Sequence, residues 1–394
     1  MTLEEYASQI NENIFLREFS FARNEFSPAQ ESELQFSDQV IWLDELLITF
    51  QLKERELSGK HTRQTEEKWF QKKIIGKATK QIRDTLDYLT RYDEINITNG
   101  RGHVFNVSAA RTNKPISVVS YAPHKLLPRG YTRKKFHLSS TAGFIHLIPI
   151  EDWLGICHTL MTPAEIVEYL AFRQEISLKH ESKVNELPEQ TLIGQFLYGT
   201  LDTEPALAFT KYLQLFVQTY DEFDMSHILN RFADRIVRII EFSPTRRVVE
   251  EYRYYDILKE LAKLNRNELR LFKFRHDLCV EKCKTNELTR PYRFTSPRTG
   301  SGFVFIVIPK EHAATTVNAL QNFTAAHKYD QKLNKCIGVS FANDGEYYDV
   351  GWCFQEDPWI YDAEMEQRLK EQFPFLEVKE EVIPRYKFAG SEVR

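Results

Sequence analysis

Residues 38–53 read Asp38-Gln-Val-Ile-Trp-Leu43-Asp44-Glu45-Leu46-Leu-Ile-Thr-Phe-Gln51-Leu-Lys53. Two β-prone runs, 38–43 and 46–53, flank a two-residue acidic turn, which predicts a β-hairpin. Alternate residues of a strand share a face, so Gln51 and Lys53 point the same way. Asp38 opens the partner strand near the level of Gln51, and the pairing register decides whether it shares their face. On a shared face, a carboxylate, an amide oxygen and an ammonium meet in one small volume. Those groups suit phosphodiester hydrolysis. Oxygen ligands hold a hard cation such as Mg²⁺, and a lysine stabilises negative charge as it develops.

Outward from the hairpin, residues 3–18 read as a helix with Leu3, Tyr6, Ile10 and Ile14 on its apolar side. A short strand and a loop follow over 19–32. After the hairpin comes a polar loop, Glu54 to Thr65, and then a long helix over 66–89. Its stripe is Phe70, Ile74, Ala78, Ile82, Leu86 and Leu89. Lys73, Lys77 and Gln81 recur every fourth residue along one edge of that stripe, with Lys80 close by. Such a row neutralises backbone phosphates without reading sequence; it also fits the solvated edge of an ordinary surface helix. Gln81, nearly inside the stripe, needs a hydrogen-bond partner. Strands are predicted at 103–109, 116–121 and 143–150. Arg111, Lys114 and the basic loop around 129–135 extend the candidate basic surface.

Asp38 … Gln51-x-Lys53, with a helix before it and a long helix and strands after it, resembles the PD-(D/E)xK nuclease superfamily. The variant is the one in which Gln replaces the second acidic residue, as in Mrr-like restriction enzymes. The resemblance covers roughly residues 1–150 and implies a restriction-endonuclease-like mixed sheet flanked by helices. It implies a metal-dependent endonuclease using Mg²⁺ or Mn²⁺ on nucleic acid, DNA first, in defence against foreign DNA. Asp38, Gln51 and Lys53 would be catalytic. Asp38 and Gln51 would hold the metal, with Glu33 and a Glu of the first helix, Glu12 preferred over Glu5 and Glu18. Lys73, Lys77, Lys80 and Gln81 would contact nucleic acid. Two departures stand out: Ser37 occupies the place of the motif's Pro, and Gln51 removes a charge from the metal site. An inactive nuclease fold acting as a binding module, an RNA-directed nuclease and a purely structural protein stay open.

Beyond residue 162 the pattern turns helical, with Thr162 as N-cap and Pro163 at the first helical position. Residues 302–308 form a buried-strand signature, 311–328 a helix, 336–341 and 347–354 a hairpin about Asn343-Asp344-Gly345, and 363–372 a helix. This suggests a nuclease-like domain at 1–155, a helical region at 156–285 and a small α/β domain at 286–394. The C-terminal regions are the expected seat of a partner protein or a second copy of the chain. At 42% hydrophobic and 27% charged residues, the 394-residue chain belongs with globular proteins. Its net charge of −4 makes any phosphate-binding surface a local one. Five scattered cysteines, no apolar run of membrane length and no signal segment point to the cytoplasm and away from a membrane. Cys279 with Cys283, and Cys157 beside His158, lack a second ligand pair at zinc spacing. His103, His137 and His146 show no metal spacing either.

Overall fold

The computed structural model describes residues 1–28, 32–55, 61–216, 253–287, 289–343, 348–373 and 375, with 224, 225, 229, 232 and 234. Contacts gather them into two compact units, within Met1–Gln218 and within Thr219–Arg385. The helical middle expected over 156–285 is thus divided between the two units rather than standing as a third.

The first unit opens with α1 (Leu3–Phe15), closed at its start by a Thr2–Glu5 capping box. Next come β1 (Ser20–Arg23), the short pair β2 (Glu25–Phe26) and β3 (Leu34–Gln35), then β4 (Gln39–Leu43) and β5 (Leu46–Glu54). Leu43 lies opposite Leu46, so Asp44 and Glu45 alone make the turn. Asp44 has φ 49°. Two-residue hairpin turns that match strand twist need positive φ, which Asp tolerates better than most side chains.

The predicted helix over 66–89 is present as α2 (Arg63–Trp69), a π-helical stretch (Phe70–Lys77) and α3 (Ala78–Arg91) in succession. The π stretch is a departure from the regular helix expected. Ala78 N–H donates to Lys73 O, five residues back. Ile74-Ile75-Gly76 places two β-branched residues and a glycine, all weak α-helix formers, in that stretch. Phe70, Ile74, Ala78 and Ile82 still pack on one side at four-residue spacing through the wider turn, and Lys73 and Lys77 stay exposed.

Then follow β6 (Asn96–Asn99), β7 (Val104–Asn106), β8 (Ile116–Ala122), α4 (Arg129–Thr132), β9 (Phe136–Ser139), β10 (Gly143–Pro149) and α5 (Ile150–Leu160). The strand expected over 103–109 is shorter because the Asn106 side chain accepts from Ser108 N–H and starts a 3₁₀ turn, Val107–Ala110. One mixed sheet runs β7-β6-β1-β4-β5-β8-β10-β9. β5 pairs antiparallel with β4 and parallel with β8. A parallel partner demands a long connection, and α2 to α3 supply it. On one face, Trp69, Phe70, Ile74, Ala78 and Ile82 pack on Val119, Tyr121, Ile145 and Leu147. On the other, Phe50 meets Trp153 of α5 edge-on at 5.2 Å. The result is a large mixed sheet flanked by helices.

α6 (Pro163–Lys179), α7 (Glu181–Val184), α8 (Glu189–Tyr198) and α9 (Lys211–Phe216) complete this unit. Thr162 accepts from Glu165 N–H, with Pro163 in the first turn, as the sequence predicts. The second unit holds α10 (Arg253–Ala262), α11 (Arg266–Lys284), α12 (Thr316–Asp330), α13 (Ala363–Gln372) and the sheet β11 (Tyr292–Ser296), β12 (Ser301–Ile308), β13 (Lys335–Asn343), β14 (Tyr348–Glu356), in that strand order. β12 is buried throughout. Its Phe303 and Phe305 face Phe272 of α11, while Val304, Ile306 and Ile308 meet Leu320 of α12. A Cβ at Gly338 would stand 2.0 Å from Thr324 Oγ1, so only glycine lets α12 lie that close to β13. Antiparallel β13 and β14 flank the predicted Asn343-Asp344-Gly345 turn, whose residues 344–347 lie outside the described ones. Among the described residues no helix is long and apolar enough to cross a membrane.

Candidate active site

The hairpin register settles the relation that the sequence left open. Gln39 opposes Phe50, and Asp38 N–H donates to Phe50 O at 3.1 Å, so Asp38 stands across from Gln51. Directly opposed residues share a face. Asp38 Oδ2 accepts from Leu52 N–H at 2.6 Å and from Lys53 Nζ at 3.0 Å. The same Nζ reaches Gln51 Oε1 at 3.3 Å and Leu52 O at 2.9 Å. Asp38, Gln51 and Lys53 are therefore one cluster, at the carboxyl end of β5. The Asp38 and Lys53 side chains are only 8% and 11% exposed, which strengthens charge interactions relative to those in water.

Neighbouring bonds hold the cluster in place. Ser37, next to Asp38 in the chain, donates its hydroxyl to Phe50 O at 2.8 Å. Asn24 Nδ2 donates to Ser37 O at 3.2 Å. Thr85 Oγ1 of α3 donates to Phe36 O at 2.5 Å, tying the covering helix to the chain two residues before Asp38.

Burial lowers the Lys53 pKa, and the charge of Lys77 lowers it further against the opposing pull of Asp38. Glu4 of α1 belongs to the same field. Burial, then the Asp38 charge, raise its carboxyl above the ordinary value, with Lys53 opposing. Glu4 lies outside the glutamates weighed from sequence. α1 presents its first turn to this end of the sheet: Gln39 Nε2 donates to Glu4 O at 2.8 Å and Asn11 Nδ2 to Gln39 Oε1 at 2.7 Å. Glu4 and Asn11, seven apart, share a helix side. That signal is in the sequence, but which end of α1 meets Asp38 is not.

The preferred Glu12 lies two helical turns beyond Glu4. It pairs with Arg17 at 3.5 Å and accepts from Ser8 at 3.1 Å. Glu18 is buried against Arg101 at 2.7 Å, and Glu5 closes the helix cap. Glu33 is exposed in the chain leading into β3 and is not part of the cluster. The oxygen donors of the cluster are the Asp38 carboxylate and the Gln51 amide, and the exposed carboxylate of Glu4 on α1 feels the Asp38 charge. This all-oxygen set fits a hard cation such as Mg²⁺ or Mn²⁺.

On the covering helix, Lys73, Lys77 and Lys80 are exposed. Lys77 is the one whose charge Lys53 senses. Gln81 Oε1 is buried with no hydrogen-bond partner among the described residues. It sits one turn from Thr85 and one from Lys77. The basic loop contributes less than its composition suggests. Lys135 is 2% exposed and pairs with Glu189 at 3.0 Å, and Arg133 donates to Glu186 O at 2.6 Å. Arg111 is turned to Asp93 at 3.0 Å.

A second constellation, absent from the sequence reading, lies just past the same strand ends. Lys53 and Glu54 pair with Tyr121 and Ala122; Arg55 and His124 follow. Arg55 Nε reaches the two oxygens of buried Glu66 at 3.2 and 3.1 Å, and His61 Nδ1 lies 2.9 Å from Glu66 Oε1. The His61 and His124 rings stack at 4.3 Å, 16° from parallel. Burial alone would raise the Glu66 carboxyl, but hydrogen bonds from His61 and Arg55 outweigh it and hold the pKa below the ordinary value. His61 and His124 are far apart in the chain, and only the pairing of β5 with β8 joins them.

Comparison of the chain with known protein families, curated proteins and solved structures finds no match.

Proposed function

We propose that this protein is a divalent-metal-dependent nuclease that hydrolyses phosphodiester bonds, with DNA as its first substrate. The observation that carries the reading is Lys53 Nζ held between Asp38 Oδ2 and Gln51 Oε1 at 3.0 and 3.3 Å on one sheet face. Support also comes from the order of elements: a helix, an antiparallel strand meander, a long helix and a parallel strand, with the cluster at the carboxyl end of β5. That order agrees with the resemblance to the PD-(D/E)xK superfamily. By the same resemblance, the reading extends to cytoplasmic defence against foreign DNA.

Asp38, Gln51 and Glu4 would hold Mg²⁺ or Mn²⁺. When bound, the cation supplies an activated water and neutralises phosphate charge. Lys53 Nζ donates to a non-bridging oxygen of the scissile phosphate, where negative charge grows in the transition state. Leu52 N–H, bonded to Asp38 Oδ2, fixes the carboxylate while the ammonium changes partner. Lys73, Lys77 and Lys80 line the flank and hold the backbone phosphates on either side of the cut.

The test is cleavage of plasmid, linear duplex, single-stranded DNA and RNA with Mg²⁺ or Mn²⁺, by wild type, Asp38→Ala and Lys53→Ala. Loss of one transition-state donor of this kind costs about 10²–10³ in rate. Equal cleavage by wild type and Lys53→Ala would remove the site assignment, and cleavage of RNA alone would change the substrate.

A further inference from the structure

We propose that His61, Glu66 and His124 form a second metal site, one for a borderline cation of the Zn²⁺ type, at the ends of β5 and β8. One ligand atom from each residue lies within 4.8 Å of the others. Ligands around a tetrahedral Zn²⁺, at about 2.0–2.2 Å from the metal, stand about 3.4 Å apart. The side chains thus need to close by little more than an ångström, and His61 Nδ1 and Glu66 Oε1 are already within 2.9 Å.

The chemistry of the donors selects the metal. Two imidazoles and one carboxylate suit Zn²⁺, Co²⁺ or Ni²⁺ far better than Mg²⁺, which prefers oxygen throughout. The site is therefore chemically distinct from the all-oxygen set of Asp38, Gln51 and Glu4. Glu66 is a suitable anchor because it is fully buried and Arg55 Nε holds its carboxylate at 3.1 Å. Each carboxylate oxygen has more than one lone pair. Arg55 can keep its bond to Oε2 at 3.1 Å while Oε1 turns to the metal. Such a partner orients the ligand from behind. The His61 and His124 rings stack within 16° of parallel, so one ring has to turn about its side-chain bonds for both in-plane lone pairs to meet one ion. Leu126 N–H lies 3.3 Å from His124 Nδ1, a long hydrogen bond that costs little to exchange for a metal bond. The metal would clamp the segment after β5 to the segment after β8, beside the Asp38 cluster. It leaves one tetrahedral position for water.

The experiment uses the full chain, stripped with a chelator and titrated with Zn²⁺ against a chromogenic competitor. Co²⁺ absorption reports the coordination geometry. The expected result is one tight equivalent per chain with a tetrahedral Co²⁺ spectrum. His124→Ala should weaken binding by roughly 100-fold or more, while Asp38→Ala binds as wild type does. Glu66→Gln tests the anchor, and His124→Ala, at a partly buried ring, keeps the test valid should that variant not fold. No stoichiometric binding, or undiminished binding by His124→Ala, overturns the proposal. Binding by Asp38→Ala without cleavage separates this site from the proposed hydrolytic one.

Discussion

Lys53 and Glu4 carry opposite shifts, and together they set a pH window. Lys53 titrates below 10.5 because burial and Lys77 disfavour its charge. Glu4 titrates above 4.5 because burial and Asp38 disfavour its ionised form. If hydrolysis needs Glu4 ionised and Lys53 protonated, kcat/KM against pH is bell-shaped, with both limbs drawn inward from the ordinary values. Glu4→Gln should flatten the acid limb. Lys53→Arg, whose guanidinium stays charged, should carry the alkaline limb outward. A profile in which neither substitution moves its limb would detach these residues from the reaction. Stability follows the same shifts with its own signs. Folded Glu4 binds more protons than the unfolded chain, so its contribution is present at low pH and fades as pH rises through its folded pKa. Folded Lys53 binds fewer, so stability rises from its depressed pKa toward 10.5.

At the scale of elements, a buried charge network welds helices to the sheet. Glu189 of α8 accepts from Arg173 of α6 at 2.6 Å, from Tyr169 at 2.5 Å, and pairs with Lys135 at 3.0 Å. Arg173 also donates to Lys135 O and Leu147 O, at 2.8 and 3.0 Å. Burial opposes the Glu189 charge, but the two cations outweigh it and hold the pKa well below the ordinary value. Arg173→Met leaves buried carbonyls and one carboxylate short of partners, and removing one partner of such a network costs about 3–5 kcal/mol. Urea unfolding should show that loss as a lower midpoint at unchanged slope; a loss below about 1 kcal/mol would contradict the network's role. None of this network was legible in the chain, because its members meet only through tertiary packing. The hairpin of β4 and β5 and the helix at Ala363–Gln372 were legible, because turn chemistry and periodicity are local. The cluster of Asp38, Gln51 and Lys53 was legible down to its residues, with its face waiting on the register. Glu4, His61 and His124 were not, because each reaches its partners through strand or helix placement that no local pattern encodes. The π stretch escaped as well, since its buried positions keep the four-residue rhythm of an α-helix.

For the molecule as a whole, the charge balance works against its proposed substrate. A chain with net charge −4 gains no general attraction to nucleic acid, so binding has to come from a local face. The described candidates are Lys73, Lys77 and Lys80, all exposed on the helical segment that covers the Asp38 cluster. Lys135 and Arg111 are engaged with carboxylates elsewhere. Each phosphate contact contributes about 0.9 to the slope of log affinity against log salt. If the three lysines each meet one phosphate, Lys73→Gln, Lys77→Gln and Lys80→Gln together should flatten that slope by roughly 2 to 3. Fluorescence anisotropy with a duplex from 50 to 300 mM salt, in Ca²⁺ to withhold cleavage, measures it. A second consequence separates binding from chemistry. The triple variant should lose KM first, since its lysines touch flanking phosphates, whereas Lys53→Ala should lose kcat. An unchanged slope in the triple variant would return the lysine row to the solvated edge of a surface helix. The phosphate-binding face would then have to be sought elsewhere in the chain.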